Sequence, residues 1–257
     1  MAICGEILQK IIRSDVLALL VFPPQKRENN RKSRCREVEE MHMNVVFSES
    51  DEVAARLEEL GVSEASLREA INQGHLQRAR LTPNHPRIFP GLEMWGWCVA
   101  GLRDQLRPLG WVAHVAGNYE STVNNTLDLA IALASGDEST GISHLHPSNR
   151  SKKGKNTVEA VEGNRQGDLF VELLPEKIIS TPSNHDTWIL LHHTDVHKKE
   201  IRIEFSKPWD IGEDGKITSW AERIILRSIS FDDDIQLDDF IEPDGMNINI
   251  NITRKVS

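Results

Sequence analysis

Hydrophobic residues recur at helical spacing in the first well-patterned part of the chain. Val53, Leu57 and Leu60 share one face of a predicted helix, for which Ser50 is the N-cap candidate. Gly61 suits the left-handed position that commonly ends a helix. The pattern therefore predicts a short amphipathic helix.

A second helix is predicted directly after the first. Ser63 is its N-cap candidate, Leu67 and Ile71 share its apolar face, and Gly74 is expected to close it. Together the two helices, in the stretch LEELGVSEASLREAINQG, resemble the helix-turn-helix of small DNA-binding domains. The resemblance is confined to this helix pair, and it implies DNA contact with Arg68 as the cation of the second helix. A helical hairpin that only packs in a core is the alternative.

A proline-containing connector, HLQRARLTPNHPRIFP, separates this pair from a third predicted helix. That helix runs from Gly91 to Leu106 and is expected to turn Trp97 and Cys98 toward a core. The Pro-Leu-Gly sequence that follows ends the helical region. These three helices predict a small helical N-terminal domain.

The hydrophobic period changes to two at Trp111, which indicates strands. The predicted strands are 111–117, 127–134, 169–173, 188–193, 200–206 and 223–229. Turns at Asn124 and Gly215 favour hairpins, and one helix, Thr157–Arg165, interrupts the strands. The predicted fold class is α+β: a small helical N-terminal domain with a helix-turn-helix-like pair, followed by a mainly antiparallel sheet domain with one or two helices.

Four parts of the chain follow from these patterns. They are a poorly ordered or non-native extension (1–44), a helical domain (45–110), an α+β domain (111–230) and an acidic tail (231–257). Within the tail, the segment MNININIT alternates perfectly between isoleucine and asparagine. It is expected either to add an edge strand or to remain disordered and self-associating.

Charge is unevenly distributed along the chain. The 257 residues carry a formal net charge of −9, but Asp232–Asp244 contains seven carboxylates and no cation, so the remainder carries −2. The acidic composition therefore does not exclude a local basic surface that meets an anion. The tail itself suits a basic protein partner.

Cysteine content and hydropathy limit the expected cellular context. Three scattered cysteines without a CxxC pair are too few for a disulfide framework and fit a reducing cytoplasm. The longest apolar run, Val16–Phe22, is seven residues long, whereas a membrane span needs about 20. We therefore expect a cytoplasmic protein that has no membrane contact.

Two adjacent carboxylates follow the predicted strand 127–134, in the sequence SGDESTG. A strand end fixes the direction of Asp137 and Glu138 while the loop leaves them open, as in many catalytic sites. His144 and His146 follow at a spacing that lets both reach one divalent metal, such as Mg²⁺, Mn²⁺ or Zn²⁺. This set predicts a metal-dependent phosphoesterase or nuclease, with the carboxylates catalytic and the histidines metal-binding. A polar turn with Asx-type hydrogen bonds is the alternative.

A cationic segment with a central glycine leads into the predicted helix. Such a loop suits phosphate, because its side-chain charges and the backbone N–H groups of the helix N-terminus attract an anion. Asn156 and Glu159 are spaced as in a capping box. The residues expected to bind an anion or nucleic acid are Arg150, Lys152, Lys153, Lys155, Asn156 and Thr157, together with Arg68 of the helix pair. A solvated basic loop is the alternative.

These sequence features support three functional hypotheses. The first is a cytoplasmic protein that contacts nucleic acid or another polyanion as a subunit of a larger complex. The second is the metal-dependent phosphoesterase or nuclease, and the third is a non-catalytic assembly subunit whose acidic tail binds a protein partner. The chain has no Ser-His-Asp elbow and no GxGxxG, so hydrolase triads and dinucleotide cofactors lack support.

Overall fold

A computed structural model describes residues 44–116, 119–171 and 185–231. In chain order its elements are β1 (Val45–Phe47), α1 (Ser50–Glu59), α2 (Glu64–Ala79), α3 (Phe89–Leu106), β2 (Val112–Ala116), β3 (Tyr119–Asn124), β4 (Leu129–Ser135), α4 (Lys155–Val171), β5 (Asp186–Asp195), β6 (Glu200–Ile211) and β7 (Ile217–Ser230). None of the described helices is long and apolar enough to cross a membrane. The predicted N-terminal extension and the acidic tail after Phe231 lie outside the described residues.

The seven described strands form one mixed sheet in the order β1-β7-β6-β5-β4-β3-β2. β1 pairs with β7 and β4 with β5 in parallel, and the other neighbouring strands are antiparallel. β1, β2, β4, β5 and β7 therefore run in one direction, and β3 and β6 run in the other. The predicted α+β class is confirmed. The two parallel pairs need long connections that strand patterning alone does not reveal.

Helices α1, α2 and α3 cover one face of the sheet and share a hydrophobic core with it. This core joins helix residues Leu57, Leu67, Ile71 and Leu102 to strand residues Ile131, Leu190, Ile203 and Phe205. Trp188 and Phe205 stack within it, with ring centroids 4.8 Å apart. The predicted helical domain with a helix-turn-helix-like pair is not supported, because the apolar faces of these helices are buried against the sheet.

The second helix is longer than its sequence pattern predicts. Ser63 caps it as expected, since its Oγ accepts a hydrogen bond from the Ser66 N–H at 3.1 Å, but α2 continues past Gly74 to Ala79. Gly74 lies where α2 meets α3, and a Cβ atom there would come within 2.2 Å of the Cys98 sulfur. The glycine permits close helix packing and does not end the helix.

The predicted core position of Trp97 in α3 is wrong. Its side chain is exposed, and its Nε1 donates a hydrogen bond to Glu93 Oε1 at 2.9 Å. Met94, Cys98 and Leu102 form the buried face of the helix. Trp97 therefore lies beside that face, where its polar edge reaches water and a carboxylate.

The second face of the sheet carries α4, which forms the crossover between the parallel strands β4 and β5. The helix begins before the predicted Thr157 and continues past Arg165 to Val171. The predicted strand at 169–173 is therefore wrong for residues 169–171, which are helical. Asn164 fixes the helix to the sheet: its Oδ1 accepts the Thr187 N–H at 2.7 Å, and its Nδ2 donates to the Pro208 carbonyl at 3.1 Å.

The β6–β7 hairpin bends over this second face. Its pairing shifts register at several points between Lys207 and Ile211, where such irregularities bend a strand. A second, smaller core forms beneath it from Ala134, Ile189, Leu191, Ile217 and Trp220. The turn of the hairpin reaches the loop between β4 and α4, where the Lys153 N–H donates to the Gly215 carbonyl at 3.0 Å.

Candidate anion-binding surface

The loop between β4 and α4 starts with an aspartate that binds backbone groups. Asp137 Oδ1 accepts the Ser139 N–H, and its Oδ2 accepts the Ser148 N–H, each at 3.0 Å. The Asp137 N–H donates in turn to the Ser148 carbonyl at 2.9 Å. Both carboxylate oxygens therefore stabilise the loop, as in Asx-type turns.

The structure does not assemble the predicted metal-binding set around Asp137. In the ranges it describes, no group of three or more His, Cys, Asp or Glu side chains is placed to hold a metal ion. Glu138, His144 and His146 have exposed side chains in the same loop. The four residues are thus close in sequence but do not converge on one coordination site.

A buried ion pair beneath this loop escaped prediction from the sequence. Glu204 of β6 and Arg223 of β7 are fully buried, with Arg223 Nη2 2.6 Å from Glu204 Oε2. The same glutamate oxygen accepts the Gly141 N–H at 2.9 Å, and Arg223 Nη1 donates to the Leu145 carbonyl at 2.6 Å. The pair therefore attaches the loop to the second face of the sheet.

Three polar side chains form a second cluster near the β5–β6 turn. Arg202 Nη1 lies 3.5 Å from Asp195 Oδ2, and its Nη2 donates to the Glu138 carbonyl at 2.8 Å. Burial would raise the pKa of Asp195, but the Lys198 N–H and the charge of Arg202 bring it below its ordinary value. Burial lowers the pKa of His193. Asp195 and Arg202 thus pair with each other, His193 bonds to the Gly136 carbonyl at 3.3 Å, and Arg202 fixes the backbone of the loop.

The basic loop, residues 150–155, presents three cations to solvent. The side chains of Arg150, Lys152 and Lys155 are exposed. Lys155 Nζ lies 3.2 Å from Glu159 Oε1, but an ion pair between two such exposed side chains contributes little. All three charges remain accessible to an anion.

Hydrogen bonds hold the basic loop to the β6–β7 turn. Asn149, which precedes it, donates to the Gly215 carbonyl at 3.0 Å and accepts the Ile217 N–H at 2.7 Å. Lys216 Nζ donates to the Asn149 carbonyl at 2.8 Å and also to the carbonyl of Arg150. The backbone is therefore positioned before any ligand binds, which reduces the entropy lost on binding.

Two predicted anion-binding residues contact the protein itself. The Asn156 side chain donates to the carbonyl of Ala116 at the end of β2, and Thr157 is buried. Because α4 begins at Lys155, Asn156 lies inside its first turn and does not occupy the predicted capping position. The accessible part of the predicted site is thus its three exposed cations.

Arg68, the predicted DNA-binding cation, binds the edge of the sheet. Its Nε donates to the Arg227 carbonyl at 2.9 Å, and its Nη2 donates to the Ser228 carbonyl at 3.1 Å. Glu64 accepts the Arg227 N–H at 2.8 Å. The guanidinium therefore satisfies backbone groups of β7. It belongs to the helical layer, and the structure does not bring it to the basic loop on the second face.

No protein family model, curated protein or solved structure matches the chain at a significant level. Function is therefore inferred from the chemistry and geometry of the chain's own residues.

Proposed function

We propose that the protein contacts nucleic acid or another polyanion through the basic loop, as a subunit of a larger complex. The observation that carries this proposal is the exposure of Arg150, Lys152 and Lys155 on a hydrogen-bonded backbone at the start of α4. Phosphate groups are attracted by such side-chain charges and by the partial positive charge of a helix N-terminus.

The acidity of the whole chain does not oppose this contact. Exposed charges act over about 8 Å at physiological ionic strength, so the local surface determines what a phosphate encounters. Lys216 adds a further cation beside the basic loop, where its Nζ binds the carbonyls of Asn149 and Arg150. The net charge of −9, summed over the whole chain, therefore does not determine the charge that a phosphate meets at the basic loop.

Fluorescence anisotropy with mixed-sequence DNA duplexes, single strands and RNA across a salt series tests the proposal. We expect affinity to fall as salt rises, with a logarithmic slope of about −0.9 for each duplex phosphate that is neutralised. Replacing Arg150, Lys152 and Lys155 together by glutamine should weaken binding and reduce the size of that slope by up to about 3.

A matched control changes the same charge elsewhere. Arg80, Arg87 and Lys198 are exposed cations outside the basic loop, and their triple glutamine variant has the same net charge as the loop variant. We expect this control to keep wild-type affinity. Equal losses in the two variants would place the contact elsewhere, and binding that ignores both salt and the loop variant would overturn the proposal.

A further inference from the structure

β2 forms one edge of the sheet, and both of its faces are open to solvent. All five of its residues, VAHVA, are exposed, with Val112 51% and Val115 55% exposed. The strand has no lysine, proline or carboxylate, which are the features that proteins commonly use to prevent strand addition. Its edge is therefore suited to accept a further strand.

The opposite edge of the sheet offers less backbone for strand addition. Its terminal strand, β1, has only three residues, which pair with Glu222–Ile224 of β7. Further along β7, Arg68 binds the carbonyls of Arg227 and Ser228, and Glu64 binds the Arg227 N–H. These side chains occupy the backbone groups that an added strand would need, so β2 is the better edge for strand addition.

We propose that Met246–Thr253 of this chain, MNININIT, pairs with β2 of the same molecule as an additional edge strand. The isoleucines alternate with asparagines, so a strand conformation places three β-branched side chains on one face. Val115 lies on the face of the sheet against which α1, α2 and α3 pack, because it pairs with Glu120, whose carboxylate binds Arg103 of α3. The isoleucines on that side would cover Val115 and leave the asparagines on the other face.

The connectivity of the chain permits this pairing. β7 and β2 run in the same direction, so their C-terminal ends lie at the same end of the sheet. Five strand spacings, about 24 Å, separate the two strands. The 14 residues of 232–245 span up to about 46 Å when extended. The segment would enter beside Ala116 and run antiparallel to β2.

Charge complementarity favours the same path. Residues 232–245 carry seven carboxylates and no cation. Because the Asn156 side chain binds the Ala116 carbonyl, the basic loop adjoins the end of β2 where this connection must arrive. The carboxylates would then approach the three exposed cations of the loop, where they would compete with a polyanion for the same charges. The pairing itself needs only β2 and the isoleucine segment, so it does not depend on polyanion binding.

Hydrogen–deuterium exchange with mass spectrometry compares the full chain with a variant that ends at Gly245. We expect the β2 amides to exchange on the order of tenfold faster in the shortened chain, because they lose a neighbouring strand. Equal exchange in the two proteins would overturn the proposal. So would protection that persists in a shortened chain found to be a dimer by light scattering, since β2 would then pair with a second copy.

Variants that keep residues 246–257 test whether strand pairing, and not the presence of this segment alone, protects β2 from exchange. Replacing the three isoleucines of the segment by asparagine removes its apolar face and should expose β2 to exchange as shortening does. Replacing Asn247, Asn249 and Asn251 by glutamine keeps that face and should leave β2 protected. The full chain should be monomeric; a dimer that dissociates on shortening would overturn pairing within one molecule.

Discussion

Arg223 Nη2 lies 2.6 Å from Glu204 Oε2, and neither side chain is exposed to solvent. The pair joins the neighbouring strands β6 and β7. Glu204 also accepts the Ser206 hydroxyl at 3.0 Å and the Gly141 N–H at 2.9 Å, while Arg223 donates to carbonyls of the loop above. Such a pair favours one loop position, because displacing the loop would leave buried polar groups without partners.

Removing one partner of this pair should destabilise the protein strongly. Glu204→Leu leaves a buried guanidinium without its counter-charge, and Arg223→Met does the same to the carboxylate, so each should lower the free energy of unfolding by about 3–5 kcal/mol. The double variant should lose less than the sum, because neither charge remains alone. Urea denaturation of the four proteins measures both effects. Strictly additive losses would show that the two side chains are not coupled.

Two helix glycines should respond to alanine in opposite directions. A Cβ atom on Gly74 would lie 2.2 Å from Cys98 Sγ and 2.6 Å from the Met94 carbonyl oxygen, whereas nothing lies within 4 Å of one on Gly96. Gly74→Ala should cost about 1–3 kcal/mol through overpacking. Gly96→Ala should stabilise by about 1 kcal/mol through helix propensity. Thermal unfolding separates them, and a raised Tm for Gly74→Ala would contradict the close contact of α2 with α3.

Alanine substitutions at two glycines with left-handed backbone angles test how closely the loop between β4 and α4 packs on β6. Gly110 has φ +84°, and nothing lies within 4 Å of an added Cβ there. Gly141 has φ +74°, and Arg202 Cβ lies 2.8 Å from an added Cβ. Gly110→Ala should cost about 1–2 kcal/mol through backbone strain. Gly141→Ala should cost about 1–3 kcal/mol more through overpacking. Equal losses in urea denaturation would mean that the loop moves away freely.

Elements determined by near neighbours in the chain could be predicted from the sequence. The apolar spacing of Val53 and Leu57 and the cap at Ser63 depend on residues within one or two turns, and α1 and α2 form there. The extent of α2 could not be predicted in this way. Gly74 has the local properties of a helix end, but it is placed for contact with a second helix.

In the candidate site, too, features set by local sequence could be predicted and features set by distant contacts could not. A cationic segment is visible in the sequence, and the exposure of its side chains follows from their charge. Asp137 binds Ser139, two residues away, as the Asx-type alternative predicts. Its second partner and the partner of Arg68 lie 11 and 159 residues away, so these contacts depend on the folded arrangement. Glu204 occupies the polar face of an alternating strand, which predicts solvent exposure. It is buried because the loop after β4 covers that face.

His75 provides a test of stability against pH. Its side chain is 2% exposed, and its ring centroid lies 4.8 Å from that of Phe231. Within the described part of the chain, neither ring nitrogen has a hydrogen-bond partner. Burial, and secondarily the charge of Arg78, lower the pKa of His75 from 6.5 to about 4. The folded protein therefore keeps this imidazole neutral at pH values where the unfolded chain protonates it.

Below pH 6.5, the unfolded chain therefore binds a proton at His75 that the folded protein binds only near pH 4. The neutral imidazole of His75 should therefore contribute fully to the free energy of unfolding above pH 6.5. As pH falls to 4, the protein should lose roughly 3 kcal/mol of this free energy progressively. His75→Leu removes this loss, while the carboxylates titrate alike in both proteins. Urea denaturation across this range should show the wild type losing stability relative to the variant as pH falls. A difference independent of pH would mean that the imidazole is solvated or hydrogen-bonded in solution.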